Sequence, residues 1–342
     1  MARLEADWLD REDLAALVAA LGEGTVRWVG GAVRDTLLGL PVKDIDAATT
    51  LTPDEVIARL DAAAIRSVPT GIDHGTVTAL LPGGPVEITT LRKDVSTDGR
   101  RATIAYSDDW REDAARRDFT INALYVDPAS RELFDFFDGL DDLEERRVRF
   151  IGDPRQRIRE DHLRILRYYR FQARFGATLD DEAERACTEL APMLKGLSRE
   201  RVAWELLTLL AVPDPTETVA RMYRQGVLGM VLPETGDAEI VAFEKLVEFE
   251  RKTGRPPAAI RRLAALLPRD ERTAEQVAAR LRLSAAQKTG WEPNRRSTGC
   301  CWPARIPQRS WTGKYPSCRS RAGKSCSAAW PPGRRSRARS AR

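Results

Sequence analysis

The sequence predicts an α/β domain followed by wholly helical ones, and two observations carry that reading. Up to about Asp138, short strand-like apolar runs alternate with stretches of helical spacing. From Arg155 to Leu283 the apolar residues recur at helical spacing alone. With 342 residues the chain has room for two or three domains.

The elements follow in order. Asp10–Ala20 reads as a short helix, with Leu14, Leu17 and Val18 at helical spacing. Thr25–Val29 is a strand-like run ending in Gly30-Gly31, and Val33–Leu38 is the helix after it. Lys43–Ala48 is a second strand, carrying alternating carboxylates. Pro53–Leu60 is a helix, with Thr52 placed to cap it and Pro53 at its first position. Val77–Leu81 and Val86–Leu91 are strands joined by the turn Pro82-Gly83-Gly84-Pro85. Arg155–Arg174 reads as one long helix, with Ile158, Leu163, Leu166 and Phe171 among its apolar positions. Glu182–Leu190, Arg199–Leu210, Glu217–Gly226, Ile240–Thr253, Pro256–Leu266 and Ala274–Leu283 continue as helices.

Charge is spread unevenly. The net charge is +4, yet residues 291–342 hold 13 Lys and Arg against one acid, Glu292, which leaves 42 bases and 50 acids in the rest. A nucleic-acid site in that acidic part must be a local patch. The same last 52 residues contain no Leu and no Val, but four of the eight Trp and four of the five Cys. Such a segment cannot bury enough apolar surface to offset its ordering entropy. It reads either as a disordered basic tail that binds RNA phosphates or as the product of a changed reading frame in a GC-rich gene. The abrupt loss of Leu, Val and acids favours the second. Cys187, alone in the first 290 residues, fits a reducing compartment. No stretch approaches the ~18 apolar residues of a membrane span, and Met1–Asp10 lacks the apolar run of a secretory signal. A cytoplasmic location is the expectation.

The strongest motif starts at Val29: Val-Gly-Gly-Ala-Val-Arg-Asp-Thr-Leu-Leu-Gly, then Lys43-Asp44-Ile45-Asp46. Gly30 and Gly31 stand where a strand turns into a helix, and glycine there lets a phosphate approach the backbone. Arg34 adds a cation one turn in. Asp44 and Asp46, one residue apart, share a face if they lie on a strand. Two carboxylates so close repel unless a cation sits between them, and Mg²⁺ prefers oxygen ligands. Gly-Gly alone is an ordinary turn and Asp-x-Asp alone a solvated one. Their combination with Arg34 points to phosphate chemistry.

This combination resembles the head motif of the class II tRNA nucleotidyltransferase and bacterial poly(A) polymerase family. Arg116-Arg117-Asp118-Phe119-Thr120-Ile121-Asn122-Ala123-Leu124 resembles the family's second motif, in which the arginine and aspartate contact phosphate and ribose. Arg117 can pair with phosphate oxygens, and Asp118 can accept from a ribose hydroxyl. Glu160-Asp161-His162-Leu163-Arg164-Ile165-Leu166-Arg167 resembles the motif that chooses the base. On one helix Asp161 and Arg164 share a face. Their acceptor and donor match cytosine and adenine and mismatch uracil and guanine. Arg167 and Arg170 continue that face toward triphosphate or RNA. Leu197–Leu206 resembles the neck motif, with Arg201 and Glu205 spaced for a structural pair. Asp94–Trp110 fills the place of the flexible loop that favours full CCA addition. Glu87 is either a third acid near the metal or a solvent-facing strand residue.

The resemblance implies a nucleotidyltransferase head with a small mixed sheet over residues 1–140. It implies a neck over 141–210 with the base-reading helix, a helical RNA-binding body over 211–290, and the aberrant tail over 291–342. The implied activity is Mg²⁺-dependent addition of C, C and A to the 3′ end of tRNA from CTP and ATP, releasing pyrophosphate. Asp44 and Asp46 hold the metal in that scheme. Gly31, Arg34 and Arg117 hold the triphosphate, and Asp161 with Arg164 selects C, then A. Poly(A) addition is the second reading. A member whose tRNA grip is weakened by its C-terminus is the third.

Overall fold

The computed structural model describes residues 2–98 and 101–289; both readings of the tail, 291–342, lie outside the described residues. A 3-10 turn, Asp7–Asp10, leads into α1 (Glu12–Leu21). Then come β1 (Val26–Val29), α2 (Gly31–Leu37), β2 (Ile45–Thr49), α3 (Pro53–Ala62), β3 (Ser67–Gly71), β4 (Thr76–Leu81) and β5 (Gly84–Thr90). The α/β part continues through β6 (Arg92–Asp98), β7 (Arg101–Tyr106), α4 (Trp110–Ala115), β8 (Leu124–Val126), β9 (Leu133–Asp135) and α5 (Gly139–Glu144). From there the described chain is helical: α6 (Pro154–Glu160), α7 (Arg164–Phe175), α8 (Asp181–Leu190), α9 (Arg199–Leu210) and α10 (Thr216–Arg224). It ends with α11 (Val227–Val231), α12 (Asp237–Thr253), α13 (Ala259–Ala265), α14 (Glu271–Arg280) and α15 (Ala285–Thr289).

Seven strands form one sheet in the order β3-β4-β5-β2-β1-β8-β9. β2 and β5 run parallel and the other neighbours antiparallel, so the sheet is mixed. Alternation along the strands separates two apolar faces. Trp28 and Ala47 join Leu14 and Leu17 of α1, Val56 and Leu60 of α3, and Ile165 and Tyr168 of α7 in the larger core. Their neighbours Val29 and Ala48 turn to the opposite face, with Leu91, Ala114 and Tyr125. Among the described residues β6 and β7 pair only with each other, so the segment expected as a loop contains two antiparallel strands ahead of α4.

The cap at α3 is as expected and fuller. The Thr52 hydroxyl accepts from the Glu55 N–H, and the Glu55 carboxylate accepts from the Thr52 N–H at 2.8 Å. The single helix expected over Arg155–Arg174 is two. Asp161 leaves the helical region at φ −147°, ψ 104°. Its Oδ1 accepts from the Leu163 N–H at 3.1 Å, a local bond that competes with the helical ladder. A later strut fixes the end of α9. Buried Arg262 donates to the carbonyls of Leu210 (2.8 Å) and Pro213 (2.9 Å) and pairs with buried Glu250 at 2.7 Å.

Candidate active site

The site forms where β1 ends. Gly30 has φ +73°, a conformation that side-chain-bearing residues avoid. A Cβ built on it would lie 3.7 Å from Arg117 Nη1 and 3.9 Å from Asp46 Oδ2. The glycine turn, the carboxylate of β2 and the arginine of the second motif therefore converge.

Asp46 is on β2, but the strand begins at Ile45, so Asp44 stands just before it, exposed. The parallel register sets Asp46 directly beside Glu87 of β5. Burial, then the Glu87 charge, push the Asp46 carboxyl up to about 6; Arg117 opposes this and Asp44 adds to it. Crowded oxygen donors of one charge are the set a hard divalent cation relieves. Asp44 and Asp46, with Glu87 paired beside Asp46, supply donors of that kind.

Arg117 is held from behind. Its Nε donates to the Tyr125 hydroxyl at 3.0 Å and its Nη2 to Asp113 Oδ2 at 3.1 Å. Tyr125 in turn donates to Asp113 at 2.7 Å, and Arg116 takes the other oxygen of Asp113. Asp118 is buried and accepts from Asn122 Nδ2 at 3.0 Å and Arg167 Nε at 2.7 Å. Burial raises its carboxyl, but the Arg167 charge and these hydrogen bonds outweigh that and bring it down to about 2. Arg34 is 5% exposed. Two of its nitrogens donate to Asp35 at 2.9 and 2.7 Å, and the third to Asn122 at 2.5 Å. It braces the turn beside Gly31 from beneath, where the sequence suggested a cation open to phosphate.

Asp161 and Arg164 do not share a helix face, because the helix breaks between them. Asp161 Oδ2 accepts from Arg201 Nη2 at 2.7 Å. Arg164 pairs with Glu160 at 2.7 Å and also donates to the carbonyls of Arg157 and Arg116. The expected Arg201–Glu205 pair is not made: with Arg201 on Asp161, Glu205 turns inward to Arg170 Nε at 2.6 Å and stands 3.6 Å from Arg167. Arg170 is thus buried against Glu205 and does not continue an open face with Arg167.

Sequence reasoning missed Asp113, Asn122 and Tyr125. Asp113 had a signal, lying three and four residues before Arg116 and Arg117 on a helix. Asn122 stood in the quoted motif, four residues after its partner Asp118, but was given no role there; Tyr125 is brought in by the fold.

A mixed sheet with a glycine turn and a carboxylate pair at its centre defines a nucleotidyltransferase head. Residues 26–149 match the family model for the poly A polymerase head domain, and residues 176–238 the one for the probable RNA and SrmB- binding site of polymerase A. The chain is 39% identical over 268 residues to the mitochondrial CCA tRNA nucleotidyltransferase 1 of Danio rerio, covering 77% of this chain and 61% of the relative. It is 44% identical over 188 residues to the CCA-adding enzyme of Streptococcus gordonii, covering 54% and 46%. Among solved structures, the Bacillus stearothermophilus CCA-adding enzyme in complex with CTP superposes with TM-score 0.68 at 28% identity, covering 82% of this chain and 67% of that one. The Thermotoga maritima CCA-adding enzyme complexed with tRNA_CCA gives 0.65 at 25%, covering 84% and 69%. The chain belongs to the class II tRNA nucleotidyltransferase and bacterial poly(A) polymerase family. It spans from under half to about three-fifths of the length of the curated relatives it matches. Among the described residues no helix is long and apolar enough to cross a membrane.

Proposed function

We propose that this protein adds C, C and A to the 3′ end of tRNA from CTP and ATP, with Mg²⁺ at Asp44 and Asp46. The observation that carries the reading is the convergence of Gly30, Asp46 and Arg117 at the end of β1. Mg²⁺, when bound, supplies the charge that lowers the pKa of the RNA 3′-hydroxyl and steadies the departing pyrophosphate. Gly31 leaves the backbone open to the triphosphate and Arg117, braced by Asp113 and Tyr125, pairs with its oxygens. Arg34 and Arg170 keep the turn and the helix behind them in shape. Asp118, fixed by Asn122 and Arg167, accepts from the ribose. Asp161 and Arg164 present an acceptor and a donor to the base, which suits cytosine and adenine. Among the similar structures, one in complex with CTP and another with tRNA_CCA support the same substrates. We also propose that residues 1–140 act as head, 141–210 as neck and 211–290 as body, and that the protein works in the cytoplasm.

The test is incubation with tRNA lacking its CCA end, Mg²⁺, and labelled CTP and ATP singly and together. Extension by three nucleotides that needs both triphosphates supports the reading. Long extension with ATP alone makes the protein a poly(A) polymerase. Nucleotide binding without any extension makes it the member with a weakened tRNA grip.

A further inference from the structure

We infer that Arg201 is a positioning residue that sets base specificity by aiming the Asp161 carboxylate, an inference that rests on Asp161 reading the base. Asp161 sits at the break between α6 and α7, in extended backbone, where no helical ladder fixes it. Two donors from separate segments hold its carboxylate: the Leu163 N–H on Oδ1 at 3.1 Å, and Arg201 Nη2 from α9 on Oδ2 at 2.7 Å. The opposite half of the reader is aimed by other groups, since Glu160 and two main-chain carbonyls hold Arg164. Arg201 therefore acts on one half only.

Aim matters here because cytosine and uracil differ by an exchange of places. Cytosine offers a donor at its exocyclic amine and an acceptor at the ring nitrogen; uracil offers an acceptor and a donor in the same order. An acceptor and a donor fixed in space match the first and oppose the second. A carboxylate free to turn reaches the ring N–H of uracil, leaving Arg164 to meet the uracil carbonyl. Losing Arg201 admits uracil more than it weakens cytosine. The pair is partly exposed, at 52% for Arg201 and 33% for Asp161, so the fold depends little on it.

The test measures equilibrium binding of CTP and UTP with Mg²⁺ to the full chain, by calorimetry. It compares the unaltered protein with Arg201→Gln, Arg201→Lys, Asp161→Asn and the double variant Asp161→Asn/Arg201→Gln. The unaltered protein should prefer CTP by at least roughly tenfold. Arg201→Gln should lower the preference about tenfold, the size of one aimed charge-assisted hydrogen bond. Arg201→Lys should recover part of it, and the double variant should match Asp161→Asn alone. An unchanged CTP/UTP ratio in Arg201→Gln overturns the inference. So does equal weakening of both nucleotides with a fall in melting temperature, which marks a merely structural role, or an unaltered protein that binds both alike. Because the readout is binding, a protein that discriminates yet fails to extend tRNA counts against the proposed transferase activity and leaves the role of Arg201 standing.

Discussion

Glu205→Gln keeps the shape of a side chain that is 1% exposed and removes its charge. Arg170, itself 9% exposed, then loses the only carboxylate within ion-pair distance among the described residues, and its guanidinium cannot shed its charge. Breaking a buried pair from one side costs roughly 3–5 kcal/mol. The glutamine carbonyl still accepts one hydrogen bond, and Arg167 retains Asp118, so the expected loss is at the lower end, about 3 kcal/mol. Burial pushes the Glu205 carboxyl up against the pull of Arg170 and Arg167, so the native charge is held there at some expense. In a fold this long, a loss of that size lowers the melting temperature by roughly 6–12 °C. Urea unfolding followed by circular dichroism at neutral pH is the assay, and the slope should not change. A second variant, Glu205→Gln/Arg170→Met, should recover at least half the loss because it removes the orphaned charge as well. A loss below about 1 kcal/mol in the single variant refutes the reasoning: Arg170 would then be reaching water, and the pair would behave as an exposed one.

Asp118 titrates near 2 when folded against an ordinary 3.8, so the unfolded chain takes up a proton that the folded one refuses. The stabilisation, about 2 kcal/mol, is full above pH ~4 and disappears as the pH falls through about 2. Urea midpoints of the unaltered protein and Asp118→Asn should therefore draw together below pH ~4, and a gap that stays constant down to pH ~2 contradicts the assignment. Asp46→Asn removes one proposed cation ligand and one of three crowded carboxylates. Nucleotide incorporation should fall about a thousandfold while the melting temperature holds or rises, and a melting temperature that drops with activity points to a structural role instead. Gly30→Ala meets nothing closer than 3.7 Å, so its cost is backbone strain at φ +73°, ψ −123°, roughly 1–3 kcal/mol in chemical denaturation. A neutral substitution there means the turn can relax.

What was legible in the sequence was local. Thr52, Pro53 and Glu55 announce α3 because capping needs only four consecutive residues. Gly30 and the Asp44–Asp46 spacing announce the turn and the carboxylates for the same reason. The break at Asp161 was hidden: apolar spacing runs through it, and only the side-chain bond to Leu163 shows why the helix stops. β3 was missed because Val68, Pro69 and Thr70 are all exposed, giving no alternation to read, and β8 and β9 because three residues are too few for a pattern. The commitments of Arg34 to Asn122, Arg167 to Asp118 and Arg201 to Asp161 join residues 40 to 88 positions apart. Spacing rules on one element reach only three or four, so an arginine destined for a substrate and one destined for a strut look alike in sequence.

The pairing of β2 with β5 is the one parallel contact in the seven-stranded sheet, and α3, β3 and β4 lie between those strands in the chain. The antiparallel β4–β5 hairpin can close early, being local. The β2–β5 ladder must first bring together positions about forty residues apart, and such contacts form late and slowly. Asp46 and Glu87 therefore meet only once the centre of the head is nearly built. Before that ladder closes these acids are far apart and hydrated, so the carboxylates proposed to gather a cation come together in the same step that completes the sheet.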